Sequence, residues 1–165
     1  MTSGFQHEAS TGATVEWYTP PEVFAALGIS FDLDPAAPPG GVPWIPAARA
    51  LSRADDGLAQ PWYGRVWLNP PYGRDIHHWL DRLAAHGDGL ALVFARTDTA
   101  WFHRAFTAAT AACFIRRRLR FVSASGAISG PAGAPSLLLA YGLPCALAAS
   151  ESGLGRTVVV PKGRL

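Results

Sequence analysis

Segments of strand length alternate with segments of helical periodicity through much of this chain, and no other sequence feature limits the fold as strongly. The strand candidates are residues 29–34, 65–68 and 90–95, and helices are predicted at Pro20 to Leu27, from Ile76 up to Gly87, and after Thr99. Apolar side chains recur on one face of each helix, and the run 90–95 has the length of a buried strand. Strands that alternate with helices pair in parallel, so the sequence predicts an open α/β sheet in one compact domain.

The last part of the chain adds strand candidates to this sheet. They are residues 113–115, 119–122, 136–141 and 157–160. Strands that follow the alternating part in this way predict an antiparallel edge. The stretch 36–52 is rich in Pro, Gly and Ala, and it is predicted to be a long excursion with one short helix around residues 47–51.

The first helix carries signals for both of its ends. Thr19-Pro20-Pro21-Glu22 combines a hydroxyl for the N-cap, a proline at the first helical position and a glutamate three residues after the cap. We therefore expect Thr19 to cap the helix. Gly28 suits the left-handed conformation that terminates a helix.

Length and composition set the outer limits. A chain of 165 residues buries one core, so we expect a flexible tail at 1–14 and a single domain at 15–165. No apolar run reaches the roughly 20 residues that a bilayer requires. The N-terminus lacks a basic segment followed by an apolar one, which favours a cytoplasmic protein. Cys113 and Cys145 lie in apolar surroundings without a CxxC pair, which predicts buried thiols and no metal site.

Unusual residues mark the ends of two predicted strands. Residues 32–36 end the first strand, and residues 69–72 follow the second. Ligands of open α/β sheets collect at the carboxyl ends of strands, so we expect both segments to line one cleft. Strand alternation places Asp32 and Asp34 on the same face, and Asp34, as the last residue, lies nearer to the cleft.

The segment Asn69-Pro70-Pro71-Tyr72 predicts a rigid pair of hydrogen-bond acceptors. Two successive prolines remove two backbone donors and fix two φ angles, which holds the Pro70 carbonyl in one direction. This carbonyl and the Asn69 amide oxygen can accept both hydrogens of one amino group, while the Tyr72 ring offers a stacking face. Acceptors that hold both N–H bonds out of the ring plane favour a pyramidal nitrogen whose lone pair attacks an electrophilic methyl group. The segment contains no Asp, Cys or His for a covalent or base-led mechanism.

Three blocks of the sequence follow one another in a recognisable order. They are Trp17 to Glu22, Phe31 to Ala36 and Val66 to Gly73, and the shorter stretches 56–58, 61–62, 94–99, 118–121 and 135–136 accompany them. Together they resemble the phage-type DNA N6-adenine methyltransferases, a Dam-like family. The resemblance implies a Rossmann-like methyltransferase fold, S-adenosylmethionine as the methyl donor, and an adenine flipped out of DNA as the substrate.

The resemblance also implies which residues bind the donor. They are Trp17, Tyr18, Thr19, Asp32, Asp34, Pro35 and Asp56. The segment 17–19 is expected against the methionine portion or the adenine of the donor, and Asp34 at its ammonium group or another polar part. Asp56, alone or with Asp55, is expected at the adenine amine or the ribose, and the alternative is a turn before Gly57.

One departure from the family pattern follows Asp34. Related methyltransferases carry a Gly-x-Gly loop there, whereas this chain has Pro35, Ala36 and Ala37, which lack the close backbone approach that glycine allows. The departure leaves open a nucleic-acid-binding, methyltransferase-like domain without activity. Because the acceptor pair recognises an amine on a flat ring, N4 of cytosine or an RNA adenine is a further alternative substrate.

Positive charge is clustered, although the formal net charge is only +2. The arginines concerned are Arg96, Arg116, Arg117, Arg118 and Arg120. We expect them to contact phosphates, and the alternative is a solvated face between strands. The chain has little room for a separate sequence-reading domain, which predicts weak selectivity or reading by the loop 123–135. The sequence does not indicate an oligomeric state.

Overall fold

A mixed β-sheet of seven strands lies at the centre of this computed structural model, which describes residues 17–162. In chain order the elements are β1 (Trp17–Tyr18), α1 (Pro21–Leu27), β2 (Phe31–Asp34), β3 (Ala47–Ala50), a 3-10 turn (Arg53–Asp55), β4 (Val66–Leu68), α2 (Ile76–His86), β5 (Gly89–Phe94), α3 (Ala100–Ala108), β6 (Ala111–Ile115), β7 (Val122–Ser123), β8 (Ser136–Tyr141), α4 (Leu143–Glu151) and β9 (Gly155–Val159). The sheet has the order β3-β2-β4-β5-β8-β6-β9, and β1 pairs with β7 separately.

The sheet is parallel on one side and antiparallel on the other. β3, β2, β4 and β5 are parallel neighbours, whereas β8 runs antiparallel to both β5 and β6, and β9 runs antiparallel to β6. The predicted α/β sheet with an antiparallel edge is therefore confirmed, although β8 lies inside the sheet and not at its edge. The carboxyl ends of β2, β4 and β5 meet at one edge.

Helices cover both faces of the sheet. α2 and α3 pack on one face, where Leu80 and Phe102 enter the core, and α1 and α4 pack on the other face, where Phe24 and Cys145 do so. In β4, β5, β6 and β8 successive residues alternate between these two cores because the strand period is two. Cys113 and Cys145 are both buried free thiols, as predicted.

The short helix predicted around residues 47–51 is wrong. Ala47–Ala50 forms the edge strand β3, in parallel register with Phe31 to Asp34. Alanine favours a helix locally, but the exposed edge of β2 offers unpaired main-chain groups, and pairing with them overrides that preference.

The strand predicted at 119–122 forms only at its end, where Val122 begins β7. Residues 119–121 carry no regular structure. Phe121 exchanges two hydrogen bonds with Ser129, because its carbonyl accepts from the Ser129 amide at 2.8 Å and its amide donates to Ser129 Oγ at 2.9 Å. These residues therefore hold a loop in place and do not extend the main sheet.

Two helix starts differ from the sequence prediction, and a proline is involved in both. α1 begins at Pro21 with Pro20 as its N-cap, so Thr19 lies one residue too early to cap it, and Thr19 is instead fully buried. α4 has no counterpart in the sequence prediction. Pro144 occupies the first turn of that helix, where a missing N–H breaks no hydrogen bond.

Two further predictions concern the ends of the chain and membranes. The tail predicted at 1–14 lies outside the described residues, and the domain boundaries at 15–165 stay a prediction. No helix within residues 17–162 combines the length and the apolar character that crossing a bilayer requires.

Candidate active site

A cleft of about 1160 Å³ opens at the sheet edge where β2, β4 and β5 end. Both segments that were predicted to share a cleft contribute to it, through Pro35 to Pro38 and Asn69 to Asp75, and Phe94 adds the end of β5. The remaining wall residues are 17–18, 52–53, 56–58, 78–79, 121 and 129–133. The position agrees with the general rule for ligand sites of open α/β sheets.

All four residues of the segment 69–72 line the cleft. Asn69 is half-buried and Pro70 is buried, whereas Pro71 and Tyr72 are exposed. Within residues 17–162 no hydrogen bond occupies the Asn69 carboxamide or the Pro70 carbonyl oxygen. β4 ends at Leu68, so the following prolines leave the ladder and two acceptors stay available at the wall.

The Tyr72 ring is held at both its face and its hydroxyl. The ring stacks on Phe94 with 4.8 Å between centroids and 25° between planes, and the Tyr72 hydroxyl accepts a hydrogen bond from the Phe94 amide at 2.7 Å. Burial of the hydroxyl raises the pKa of Tyr72. The side chain as a whole keeps 47% of its surface exposed. The polar end is therefore enclosed while part of the ring remains accessible from the cleft.

Asp34 lies behind the cleft and does not line it. Its side chain is only 4% exposed, and Oδ1 accepts a hydrogen bond from the Ala36 amide at 3.2 Å. Desolvation raises the pKa of Asp34 from 3.8 to about 7, and the single bond from Ala36 opposes this shift only in part. The next residue, Pro35, does line the cleft.

Asp32 points to the loop before β4. Its Oδ2 accepts a hydrogen bond from the Arg65 amide at 2.7 Å, and a methyl group built on Gly64 would lie 2.1 Å from the same oxygen. Asp32 is exposed and is not among the residues that line the cleft. The Asp32 carboxylate therefore stabilises the conformation of the loop that leads into β4.

Asp56 reaches the cleft on a short loop after the 3-10 turn. It adopts a left-handed conformation with φ of 51° and is exposed in the cleft wall. Asp55 instead caps the turn, because its Oδ2 accepts from the Ser52 hydroxyl at 2.8 Å and the Ser52 amide at 2.7 Å, and these bonds lower its pKa. Of the two carboxylates considered from the sequence, the structure brings Asp56 to the cleft.

Gly57 brings the Asp56 loop against the chain that follows β2. A methyl group on Gly57 would lie 1.9 Å from the Pro35 carbonyl oxygen, so only glycine fits there. The Trp62 indole donates to the Gly57 carbonyl at 2.8 Å, and the Arg82 guanidinium lies 4.9 Å from the Trp62 ring and donates to the Leu58 carbonyl. α2 therefore supports this wall of the cleft.

The segment 17–19 is divided between the cleft and the core. Trp17, which is 42% exposed, and Tyr18 both line the cleft. Thr19 does not line it, and its carbonyl accepts from the Trp44 indole at 2.8 Å. The Thr19 hydroxyl has no hydrogen-bond partner within the described residues.

The five arginines singled out from the sequence lie outside the cleft wall. All of them are exposed: Arg96, Arg116, Arg117, Arg118 and Arg120. Arg118 donates to the Ala132 carbonyl at 2.9 Å and so supports the loop 129–133. Two arginines that the sequence analysis missed, Arg53 and Arg74, do line the cleft.

Aromatic residues of the cleft were also missed. Phe94 ends β5, and Phe121, Trp79 and His78 complete the wall beside it. Phe94 was detectable, because it is the last apolar residue of the third strand in the parallel order and must lie at the same sheet edge as Asn69. The other three depend on how loops and helices pack, which no local pattern reveals.

Comparison with known proteins gives one match. Residues 9–140 match the family model described as DNA N-6-adenine-methyltransferase (Dam). No curated protein and no solved structure matches the chain. Within residues 17–162, no group of three or more His, Cys, Asp or Glu side chains is arranged to hold a metal ion.

Proposed function

Because the chain belongs to the Dam family of DNA N-6-adenine methyltransferases, we propose that it transfers a methyl group to the N6 amine of adenine in DNA. The matched range includes every residue of the cleft wall, since that wall extends from Trp17 to Gly133. The observation that carries the proposal is the pair of unoccupied acceptors at Asn69 and Pro70 beside the accessible ring of Tyr72.

Asn69 and Pro70 act on the amine through hydrogen bonding alone. The N6 lone pair of adenine is delocalised into the ring, which makes the nitrogen a poor nucleophile. When the Asn69 amide oxygen and the Pro70 carbonyl each accept one N–H bond, the nitrogen becomes pyramidal and its lone pair turns out of the ring plane. The prolines fix these acceptors before the substrate arrives, so little reorganisation accompanies the reaction.

Tyr72 provides the platform for the base. An adenine inside duplex DNA cannot reach a cleft wall, so it must leave the base stack before it reacts. Stacking on a tyrosine ring returns part of the lost stacking energy, about 1–3 kcal/mol for a base on an aromatic side chain. Only Pro71 separates Tyr72 from the acceptor pair along the chain, so one base can make both contacts.

The residues of the cleft fit S-adenosylmethionine, which supplies the electrophilic methyl group when bound. The volume of about 1160 Å³ exceeds the roughly 300–1,000 Å³ of a typical small-molecule site, so it has room for a donor and a base. The donor also carries an ammonium group, and its proposed partner is Asp34 at the end of β2, which lies behind the wall residue Pro35 and must ionise to receive it. The exposed Asp56 carboxylate suits its adenine amine or ribose, and Trp17 and Tyr18 suit an apolar contact.

We further propose that the parallel strands form the Rossmann-like half of a methyltransferase fold. Donor binding at the carboxyl ends of β2 and β4 agrees with the ligand rule for such sheets. The chain lacks a Gly-x-Gly loop after β2, but the main chain still packs closely there. Gly57, from a different loop, lies directly against the Pro35 carbonyl.

DNA is the proposed partner, and the exposed arginines are its proposed phosphate contacts. Within residues 17–162 the side chains of Arg96, Arg116, Arg117 and Arg120 are exposed and make no hydrogen bond or ion pair, whereas Arg118 donates to the loop 129–133. Phosphate contacts position a protein on DNA without reading its sequence. Weak sequence selectivity therefore stays our expectation.

The direct test is incubation of the protein with S-adenosylmethionine carrying a deuterated methyl group and with unmethylated DNA, followed by digestion and mass spectrometry of the nucleosides. Labelled N6-methyl-2′-deoxyadenosine supports the proposal. Labelled N4-methyl-2′-deoxycytidine, or a labelled nucleoside formed only in a parallel incubation with RNA, would reassign the substrate. A complete lack of product, together with salt-dependent binding to DNA, would favour a binding domain without activity.

A further inference from the structure

The stacked pair of Tyr72 and Phe94 depends on where β4 and β5 end. The last register pair of these parallel strands joins Leu68 to Ala91, so β5 continues beyond its partner for three residues. The Phe94 amide at this overhang donates to the Tyr72 hydroxyl. A side chain thus satisfies a main-chain donor that the neighbouring strand leaves unpaired.

Phe94 restrains Tyr72 in two independent ways. Its ring covers one face of the tyrosine, and its main chain holds the far end of the same side chain. Phe94 is itself restrained, because the ring of Phe121 meets it edge-on with 6.4 Å between centroids and 88° between planes. Rotation of Tyr72 would break the hydrogen bond and the stack together, so one orientation of the ring is favoured.

We propose that Phe94 is a positioning residue that fixes the plane of the Tyr72 ring and leaves the opposite face of that ring for the substrate base. This inference rests on the proposed function and adds a residue to it. A base on the open face then forms a stack of three rings, namely the base, Tyr72 and Phe94. The plane of the base relative to the acceptors at Asn69 and Pro70 follows from that stack, and small errors in such alignment reduce rates steeply.

The test compares Phe94→Leu with Phe106→Leu. Phe106 is a matched control, because it is also half-buried, stacks on one ring, Phe102, and lies at an angle to a second, Phe114, but it does not line the cleft. Phe94→Leu is expected to lower kcat about 10- to 100-fold and to change the KM for S-adenosylmethionine less than about twofold. Phe106→Leu is expected to lower kcat less than about twofold, whatever its effect on stability.

A second readout does not require turnover. The protein is saturated with a single-stranded oligonucleotide that carries one 2-aminopurine within random flanking sequence. Stacking of this base on Tyr72 changes its fluorescence in the wild type and in Phe106→Leu, and the change is smaller in Phe94→Leu. Phe94→Tyr, which keeps the aromatic ring, is expected to restore both kcat and the fluorescence change, and this also guards against a folding defect in the leucine variant.

The outcomes separate this inference from the proposed function. If the wild type methylates adenine while Phe94→Leu matches it in kcat and in fluorescence, the role of Phe94 is refuted and the proposed function stands. If the wild type forms no methylated adenine, the proposed function fails, and the fluorescence comparison alone decides whether Phe94 orients a stacked base. An equal loss in Phe94→Leu and Phe106→Leu would show a general packing effect and overturn the inference.

Discussion

Asp34 and Asn69 stand at the carboxyl ends of two neighbouring parallel strands, yet only Asn69 lines the cleft. Asp34 is buried and accepts a hydrogen bond from the Ala36 amide, and its burial raises the pKa of its carboxyl to about 7. Asn69 is half-buried and has no side-chain partner within the described residues. The strand end brings both residues to the same edge, but the next few residues decide whether the side chain faces a ligand.

The difference originates in the chain that follows each strand. After Asp34 a single proline is followed by Ala36, whose N–H turns back to the aspartate, as in the local turns that Asp and Asn favour. After Asn69 two prolines present no N–H at all, so no local donor competes for its amide oxygen. A polar residue at a strand end is therefore a better site candidate when the residues after it lack donors.

The largest expected effect tests the buried state of Asp34 by unfolding at several pH values. The native carboxyl keeps its proton up to about pH 7, whereas the unfolded chain releases it near 3.8, so the native state binds more protons between these values. The free energy of unfolding should therefore fall as pH rises from 4 to 7, by up to about 4 kcal/mol from this group. In Asp34→Asn that decrease should disappear in urea titrations, and equal slopes for both proteins would contradict a buried, protonated Asp34.

The next effect tests the unoccupied state of Asn69. Asn69→Ala removes one acceptor, and we expect methyl transfer to fall at least about 100-fold, or about 2.7 kcal/mol in the barrier, by analogy with the loss of one preorganised hydrogen-bonding group. The melting temperature should change little, because the side chain has no partner to lose. Asn69→Asp keeps an acceptor oxygen and should retain more activity than Asn69→Ala. Full activity in Asn69→Ala would refute the acceptor mechanism.

The smallest expected effect tests whether the buried Asp34 carboxylate binds the ammonium group of the donor. If its carboxylate receives the donor ammonium, it must ionise on binding, and its ionised fraction falls about tenfold from pH 8 to pH 6. The α-amino group of the donor gains its proton over the same range, so the affinity for S-adenosylmethionine should weaken by about fourfold in total. Calorimetry should show this slope in the wild type and not in Asp34→Asn. Asp56→Asn, altered at the exposed side of the cleft, should keep the slope. A slope that survives in Asp34→Asn would assign the ammonium to another group.

Local chemistry explains which features the sequence could predict. The left-handed end of α1 at Gly28 depends on a few adjacent residues and is found as predicted. The segment that begins at Asn69 also depends on adjacent residues, and it lines the cleft, while its acceptor role stays a prediction. The strand β3 could not be predicted, because Ala47–Ala50 has no strand signal of its own and pairs only because the edge of β2 is nearby. The position of Arg118 depends on Ala132, a residue in a distant loop.

The same division applies within the candidate site. Strand order alone is enough to place Pro35, Asn69 and Phe94 at one edge. Three carboxylates that the sequence presents as free accept hydrogen bonds within the fold. Asp34 accepts from the Ala36 amide, Asp32 from the Arg65 amide and Asp55 from Ser52. The sequence shows how many carboxylates there are, but only the structure shows which of them already accept a hydrogen bond.

The main-chain contact between Gly57 and Pro35 limits how this protein can adapt to other ligands. The two chain segments touch backbone to backbone there, so no exchange of side chains can bring them closer, and any residue larger than glycine would force them apart. Changes in ligand preference must therefore come from other lining side chains, such as Trp17, Asp56 and Trp79, or from the loop 129–133. The spacing between Gly57 and Pro35 stays constant while these other parts of the wall vary.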